Sequence, residues 1–236
     1  DCLLSRGLGD VYKRQLKALD DVSFQVPAAS IMGLIGPNGA GKSTFVDAIS
    51  GFLPKHGGRV LLGDRDLAGL SPTRRARLGL RRTFQQDRVP PALTVGAYVR
   101  FVARRGLAAS DIDEVLEFFG CPPARARLSS IDVGTRRLVE VAANVISRPR
   151  LLILDEPAAG LSHDEHLALA ARLRELPARY GVALIIIEHD LDLVRSVCPT
   201  LTVLDFGRVL ASGPQAEVLA NPEVVKAYMG ETELLK

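Results

Sequence analysis

The chain has 236 residues, enough for one sizeable core and a small subdomain, and its 47% hydrophobic and 24% charged residues are an ordinary globular mixture. A formal charge of +3 is too small to point to nucleic acid, and the longest apolar run, residues 182–187, is far too short to span a bilayer. Cys2, Cys121 and Cys198 show neither paired nor metal-ligand spacing and suit a reducing cytoplasm, and no signal peptide is visible at the start.

Residues 1–15 show neither strand alternation nor a helical face, and residues 9–15 resemble translated sequencing-adapter sequence. They are read as a non-native start and left out of the fold, against the alternative of an irregular N-terminal strand. From Leu16 the pattern becomes regular. Val22, Phe24 and Val26 alternate with Ser23 and Gln25 as a half-exposed strand, which Pro27 ends.

The apolar run of residues 31–35 reads as a buried strand, and residues 44–52 read as a helix. Between them lies Gly36-Pro37-Asn38-Gly39-Ala40-Gly41-Lys42-Ser43-Thr44, which fits G-x-x-x-x-G-K-[ST], the phosphate-binding P-loop. Its glycines let successive N–H groups turn inward toward phosphate oxygens, and the following helix adds its positive end. Lys42 can reach the β- and γ-phosphates, and Ser43 can place its hydroxyl on Mg²⁺.

Residues 59–62 form the next predicted strand, and Ser71-Pro72 starts a helix. The arginine-rich runs 74–82 and 125–137 read as solvated faces. Residues 80–85 read as a strand, closed by Gln85-Gln86. After Pro90-Pro91 the spacing turns helical. Val95, Tyr98, Val99 and Val102 form one stripe, and Ile112, Val115, Leu116 and Phe119 form a second behind an N-cap at Ser110. A third helix is predicted over 135–147, with Leu138, Val141, Ala142, Val145 and Ile146 buried and the pair Arg136/Glu140 on the opposite face. Residues of about 90–148 are thus a helical subdomain inserted between strands.

Residues 151–155 are an apolar run ending in Asp155, with Glu156 next to it, as when a buried parallel strand delivers a carboxylate to its C-terminal edge. Ser162 and Glu165 form a capping box for the following helix. His163 and His166 on that helix read as a solvated face. The strand 182–187 ends in Glu188-His189-Asp190, and the tail begins with a hairpin whose turn is Asp205-Phe206-Gly207. Alternating strands and helices indicate an α/β fold with a mostly parallel sheet covered on both faces.

A P-loop followed by a strand-end Asp is how P-loop enzymes hold Mg²⁺ beside a nucleotide. In this order the motifs resemble the ATP-binding subunits of ABC transporters over about residues 16–230. Leu204-Asp205-Phe206-Gly207-Arg208, Ile187-Glu188-His189-Asp190 and the ending 221–230 look like the branched-chain amino-acid uptake branch. The resemblance implies a P-loop NTPase fold with an antiparallel β subdomain and the inserted helical one. It implies ATP and Mg²⁺, with Ser43, Gln85 and Asp155 at the metal, Glu156 as catalytic base and His189 as the switch histidine. Gly134 would complete the opposite subunit's P-loop in a homodimer, or in a heterodimer with a paralogous ATPase. The dimer would sit on the cytoplasmic face of the inner membrane, bound to permease subunits and indirectly served by a periplasmic binding protein. The related lipopolysaccharide-export ATPase and a soluble non-transport ABC ATPase are the alternatives. Two departures stand out. Asp132 occupies the place of the signature Ser, where an ionised carboxyl would repel phosphate unless it turns away or bonds backbone N–H groups. The adenine-stacking aromatic falls near Lys13 and Tyr12, inside the excluded start; residues 231–236 are a tail.

Overall fold

The computed structural model describes residues 3–8, 11–13, 16–53, 57–84, 89–104 and 106–228, with side chains from residue 18 onward. The chain opens on β1 (Leu3–Leu8), β2 (Val11–Lys13), β3 (Leu16–Leu19) and β4 (Val22–Val26). Strand β5 (Ile31–Ile35) runs through the glycine-rich loop into α1 (Lys42–Ser50). Next come β6 (Arg59–Leu62), β7 (Arg65–Asp66), α2 (Pro72–Arg77) and β8 (Leu80–Arg82). The insert holds α3 (Val95–Ala103), α4 (Ala109–Phe119) and α5 (Val133–Val145). Then follow β9 (Leu151–Asp155), α6 (His163–Tyr180), β10 (Ala183–Ile187) and α7 (Leu191–Val197). The hairpin β11 (Thr200–Asp205) and β12 (Arg208–Pro214) leads to α8 (Gln215–Ala220) and α9 (Pro222–Tyr228).

Strands pair in the order β12-β11-β5-β10-β9-β8, parallel except for the edge hairpin strand β12. Every residue of β5, β9 and β10 is buried, because these continuous apolar runs are covered on both faces. The strand period of two divides them between two cores. Leu152, Leu154, Leu184 and Ile186 face the core shared with α3 to α7. Leu151, Ile153, Ile185 and Ile187 face the core shared with α1 and the antiparallel sheet. Strand β5 lies between β11 and β10, so the loop after it emerges at the middle of the sheet's carboxyl edge.

The second sheet is antiparallel, in the order β4-β1-β6-β7. Phe24 of β4 packs on Phe45 of α1 with ring centroids 4.8 Å apart and ties this sheet to the P-loop helix. The start of the chain departs from the sequence expectation. The backbone of Leu3–Leu8 runs between β4 and β6 and pairs with both, while Val11–Lys13 pairs with β3. A central strand needs only its N–H and C=O groups to be matched, which side-chain alternation does not report.

Helix starts follow their caps. Ser71, Thr94 and Ser162 each accept a backbone N–H from the first turn, and Glu165 returns the bond to the Ser162 N–H at 2.8 Å. Four expectations are corrected. Helix α4 starts at Ala109, with the Asp111 carboxylate accepting from the Ala108 N–H, so Ser110 lies inside its first turn. Helix α5 begins two residues early, because Asp132 is its N-cap. Glu140, placed by spacing on the outer face, is buried, because α5 is packed against α3, α4 and the sheet. Nor is the run 74–82 a solvated face throughout. Arg75 is buried and donates to the carbonyls of Ala48, Ile49 and Leu70, two of them at the C-terminal end of α1.

Candidate nucleotide site

Gly36 and Gly41 set the shape of the loop. A Cβ at Gly36, where φ is 149°, would come 2.1 Å from the Leu204 carbonyl oxygen; one at Gly41, where φ is 106°, would come 2.8 Å from that of Ala18. Only glycine fits at either position. The Lys42 ammonium donates to the carbonyls of Gly36 at 2.5 Å and Pro37 at 3.1 Å, which holds it across the centre of the cradle. Asn38, Gly39 and Ser43 are exposed on its rim, and Ala40 is buried beneath. Pro37 and Thr44 are half-buried. The Gly207 N–H donates to the Ala40 carbonyl, and the Asp20 N–H donates to that of Gly207, so the β11–β12 turn is fastened to the loop.

A cavity of about 630 Å³ opens over the loop; Asp155, Glu156, His189 and Phe206 also line it. Sheet order explains this meeting. Strands β5, β10 and β9 are neighbours and parallel, so their carboxyl ends share one edge. Asp155 ends β9, and its N–H is held by the Thr83 hydroxyl oxygen at 3.1 Å. Burial pushes its carboxyl above the ordinary carboxylate range, against the opposing pull of Arg82, whose Nη2 lies 3.8 Å away. The same guanidinium meets Asp47 at 2.5 Å and stacks on Phe84 and Phe52 at 4.6 and 5.5 Å from the ring centroids.

Glu156 stands in the left-handed region, φ 50°, a conformation that costs a non-glycine residue about 1–2 kcal/mol. Its N–H donates to the Ile187 carbonyl of the adjacent strand, which holds the turn. Its Oε1 lies 3.0 Å from His189 Nε2, so the acid and the histidine from neighbouring strand ends face each other across the cavity floor. Glu188 is different. It is buried and accepts from the N–H groups of Ala158 and His189. Burial raises its carboxyl, and the Ala158 bond opposes that. It braces the turn after β9.

The structure brings together residues 38–44, Asp155, Glu156 and His189 around one cavity, while Gly36 and Pro37 do not line it and meet the site through their carbonyls on Lys42. Gln85 lies outside the described residues, as do the side chains of Tyr12 and Lys13. Gly134 is buried at the start of α5 and does not line this cavity; a Cβ there would come 2.9 Å from the Gly160 carbonyl oxygen. Asp132 turns onto its own helix, accepting from the Thr135 N–H at 2.9 Å and the Thr135 hydroxyl at 2.6 Å. Those bonds hold its carboxyl below the ordinary range. His166, expected on a solvated face, is half-buried with Nδ1 3.5 Å from Asp190 Oδ2.

Sequence reasoning missed Phe206, taken as a turn residue only. It is 87% exposed at the mouth of the cavity and left-handed at φ 43°. The signal was an aromatic in a turn position that favours glycine or asparagine. Arg82 was missed as well, because its partners lie 35 and 73 residues away in sequence.

Among the described residues no group of three or more His, Cys, Asp or Glu side chains forms a metal cage. A hydroxyl, Ser43, and a carboxylate, Asp155, in one cavity are instead the hard oxygen pair that suits Mg²⁺ shared with substrate phosphates.

Comparison with known proteins agrees with this geometry. The sequence profile of the ABC transporter family matches residues 19–159, and that of the branched-chain amino acid ATP-binding cassette transporter matches residues 208–233. The high-affinity branched-chain amino acid transport ATP-binding protein LivG of Salmonella typhimurium is 33% identical, over 92% of this chain and 93% of its own. BraF of Pseudomonas aeruginosa, described in the same words, is also 33% identical over the same shares. A crystal structure of an ATP-binding cassette of an ABC transporter in its ADP conformation superposes with a TM-score of 0.85 at 28% identity, covering 97% of this chain and 98% of that one. With the P-loop and the acids Asp155 and Glu156 inside the first matched stretch and β12 inside the second, the chain belongs to the ABC transporter family of ATP-binding proteins.

Proposed function

We propose that this chain is the ATP-hydrolysing subunit of an importer for branched-chain or related amino acids. The observation that carries the chemistry is the meeting of Lys42, Asp155, Glu156 and His189 in one cavity. The names of the LivG and BraF relatives and the match at 208–233 support the cargo class. In this assignment residues 16–230 are the ATPase domain and about 90–148 its helical subdomain.

The loop N–H groups and the Lys42 ammonium bind the β- and γ-phosphates; the ammonium exchanges its two carbonyl partners for phosphate oxygens. Ser43 and Asp155 would hold Mg²⁺, which when bound neutralises phosphate charge. Glu156 Oε1 accepts the proton of the attacking water, and His189 Nε2, 3.0 Å away, orients that carboxylate toward the γ-phosphate. Gln85 belongs to the same ligand shell by family resemblance. The purine is offered Phe206, the exposed aromatic at the cavity mouth.

Two cassettes, identical or paralogous, would face each other so that Gly134 of one closes the loop of the other. By likeness to the transporter subunits LivG and BraF, permease subunits would supply the path and the chain would dock on their cytoplasmic side; no helix among the described residues is long and apolar enough to cross a membrane. A groove of about 270 Å³ between α2, β8 and α3, with Phe52, Phe84 and the 62%-exposed Phe101 in its wall, suits a permease segment. The test is leucine uptake into vesicles holding this chain with a branched-chain amino-acid permease and its binding protein. ATP-dependent uptake that disappears with Lys42→Ala is expected. Uptake without this chain, or uptake unchanged by Lys42→Ala, would overturn the assignment.

A further inference from the structure

Another cavity, of about 280 Å³, lies at the opposite edge of the main sheet from the P-loop and shares Ala76, Arg77, Arg81 and Arg104 with the groove between α2, β8 and α3. Gly79 and Arg150 in its wall immediately precede β8 and β9, whereas Asp155 ends β9. At about 3.3 Å of rise per residue the two cavities are separated by about 17 Å of strand. Five arginines line the second one: Arg77, Arg81, Arg104, Arg148 and Arg150. No carboxylate is among its described lining residues.

The walls are built rather than incidental. Arg81 donates to the Val102 carbonyl at 2.8 Å and Arg150 to the Leu62 carbonyl at 3.3 Å, which fixes two guanidinium groups in place. Gly63 and Gly79 make room for Arg150, since a Cβ on Gly63 would come 2.3 Å from its Nη2 and one on Gly79 3.1 Å from its backbone nitrogen. Arg104, the C-cap of α3, and Arg148, just past α5, both sit in the left-handed region at φ 53° and 52°. Glycine is the undemanding choice at such positions, so arginine at both stands against the backbone preference. Arg75, by contrast, ends on three backbone carbonyls and closes a helix.

Like charges gathered round one cavity raise each other's energy, and a bound multivalent anion reverses the sign. The guanidinium fork matches phosphate oxygens two at a time. We propose that this arginine cavity is a phosphate-binding site separate from the P-loop. It would take the phosphate group of an anionic phospholipid head or of a free phosphorylated solute.

The experiment uses the full chain with Lys42→Ala, which removes phosphate binding at the P-loop. One arm titrates inorganic pyrophosphate by calorimetry. The other sediments the protein with phosphatidylglycerol–phosphatidylcholine vesicles. The variants are Arg104→Gly and Arg148→Gly, alone and together. Glycine suits both backbone positions, so melting temperature should hold or rise while binding falls. Each arginine near an anionic surface contributes about fivefold in affinity, so the double variant should bind vesicles about 25-fold more weakly. Loss in the vesicle arm alone assigns a lipid head, loss in the pyrophosphate arm alone a free solute, and loss in both a general phosphate site. The control is Arg125→Gln with Arg127→Gln, two exposed arginines outside the cavity. The proposal is overturned if neither probe binds, if the glycine variants bind as tightly as the parent, or if the control pair lowers binding equally.

Discussion

Asp155 and Asp132 are both aspartates at the end of a regular element, and their surroundings treat them in opposite ways. Asp155, at the carboxyl end of β9, is buried, shares Arg82 with Asp47, and has its carboxyl raised by that burial. Asp132, at the start of α5, is exposed, accepts two bonds from Thr135, and has its carboxyl lowered by them. One acid is held in a form that a ligand would complete. The other is already complete within its own helix. Family likeness assigns both positions to the nucleotide, yet local hydrogen bonding separates them.

The largest effect that would sharpen this contrast is on turnover. Glu156→Gln removes the carboxylate beside His189 that we propose accepts the proton, and general-base catalysis contributes about 10²–10⁴-fold. Steady-state phosphate release should fall by that factor while nucleotide binding persists, and ATP should trap a dimer visible by size exclusion. Turnover at the wild-type rate would move the base elsewhere, with Glu188 an unsuitable heir because it is buried and bonded to backbone.

Phe206→Ala comes next. Base–aromatic stacking in nucleic-acid sites is worth about 1–3 kcal/mol, so ATP affinity should drop by about one to two powers of ten. Pyrophosphate affinity should stay unchanged, because the phosphate cradle is untouched. Phe206→Gly removes the same ring and relieves the left-handed backbone, so it should bind ATP as weakly as the alanine variant yet melt higher. Equal ATP affinity in all three proteins would remove Phe206 from the base site.

These two residues also show what a sequence discloses. Residues 36–44 and Asp155–Glu156 are legible because their chemistry is contiguous: a loop wraps one phosphate chain, and one strand end delivers two carboxylates. The α/β alternation is legible because buried parallel strands are unbroken apolar runs. Phe206 is not, since its value lies in standing over a loop 165 residues earlier, a proximity set by β11 pairing with β5. Glu140 and Arg82 fail for the same reason, their burial and partners being decided by packing between distant segments. The backbone pairing of Leu3–Leu8 was invisible because ladder bonds are made by main-chain groups common to every residue.

A smaller effect tests the acid side of the comparison. Asp155→Asn keeps the shape and removes a charge that burial disfavours. Its folded-state value is raised, so the charged carboxylate weakens the native state above that value and the deficit fades as pH falls through it toward the unfolded one. At neutral pH the asparagine variant should therefore melt above the wild type while losing ATP turnover, and the difference should shrink in acid. A lower melting temperature at pH 7 would show that Arg82 and Asp155 act as a net stabilising pair.

The smallest effect lies at Asp132. An N-cap changed to alanine costs about 1 kcal/mol, and in a chain of this size that lowers the melting temperature by about 2–4 °C. Asp132→Ala should show that loss, whereas Asp132→Ser should not, since serine caps α5 as well through the same Thr135 N–H. The pH dependence separates the two caps. Asp132 has a lowered value, so its contribution is present above the unfolded carboxyl value of 3.8 and disappears as pH falls through the folded one. Wild type should lose ground to Asp132→Ser between neutral pH and pH 3, with calorimetric melts at both ends as the measurement. ATP-driven dimerisation distinguishes local from electrostatic action. A carboxylate tied to Thr135 repels an incoming phosphate little, so the serine variant should dimerise as the wild type does. If it dimerises distinctly more tightly at low ionic strength, Asp132 leaves its cap in the dimer, and the contrast with Asp155 holds only for the single chain.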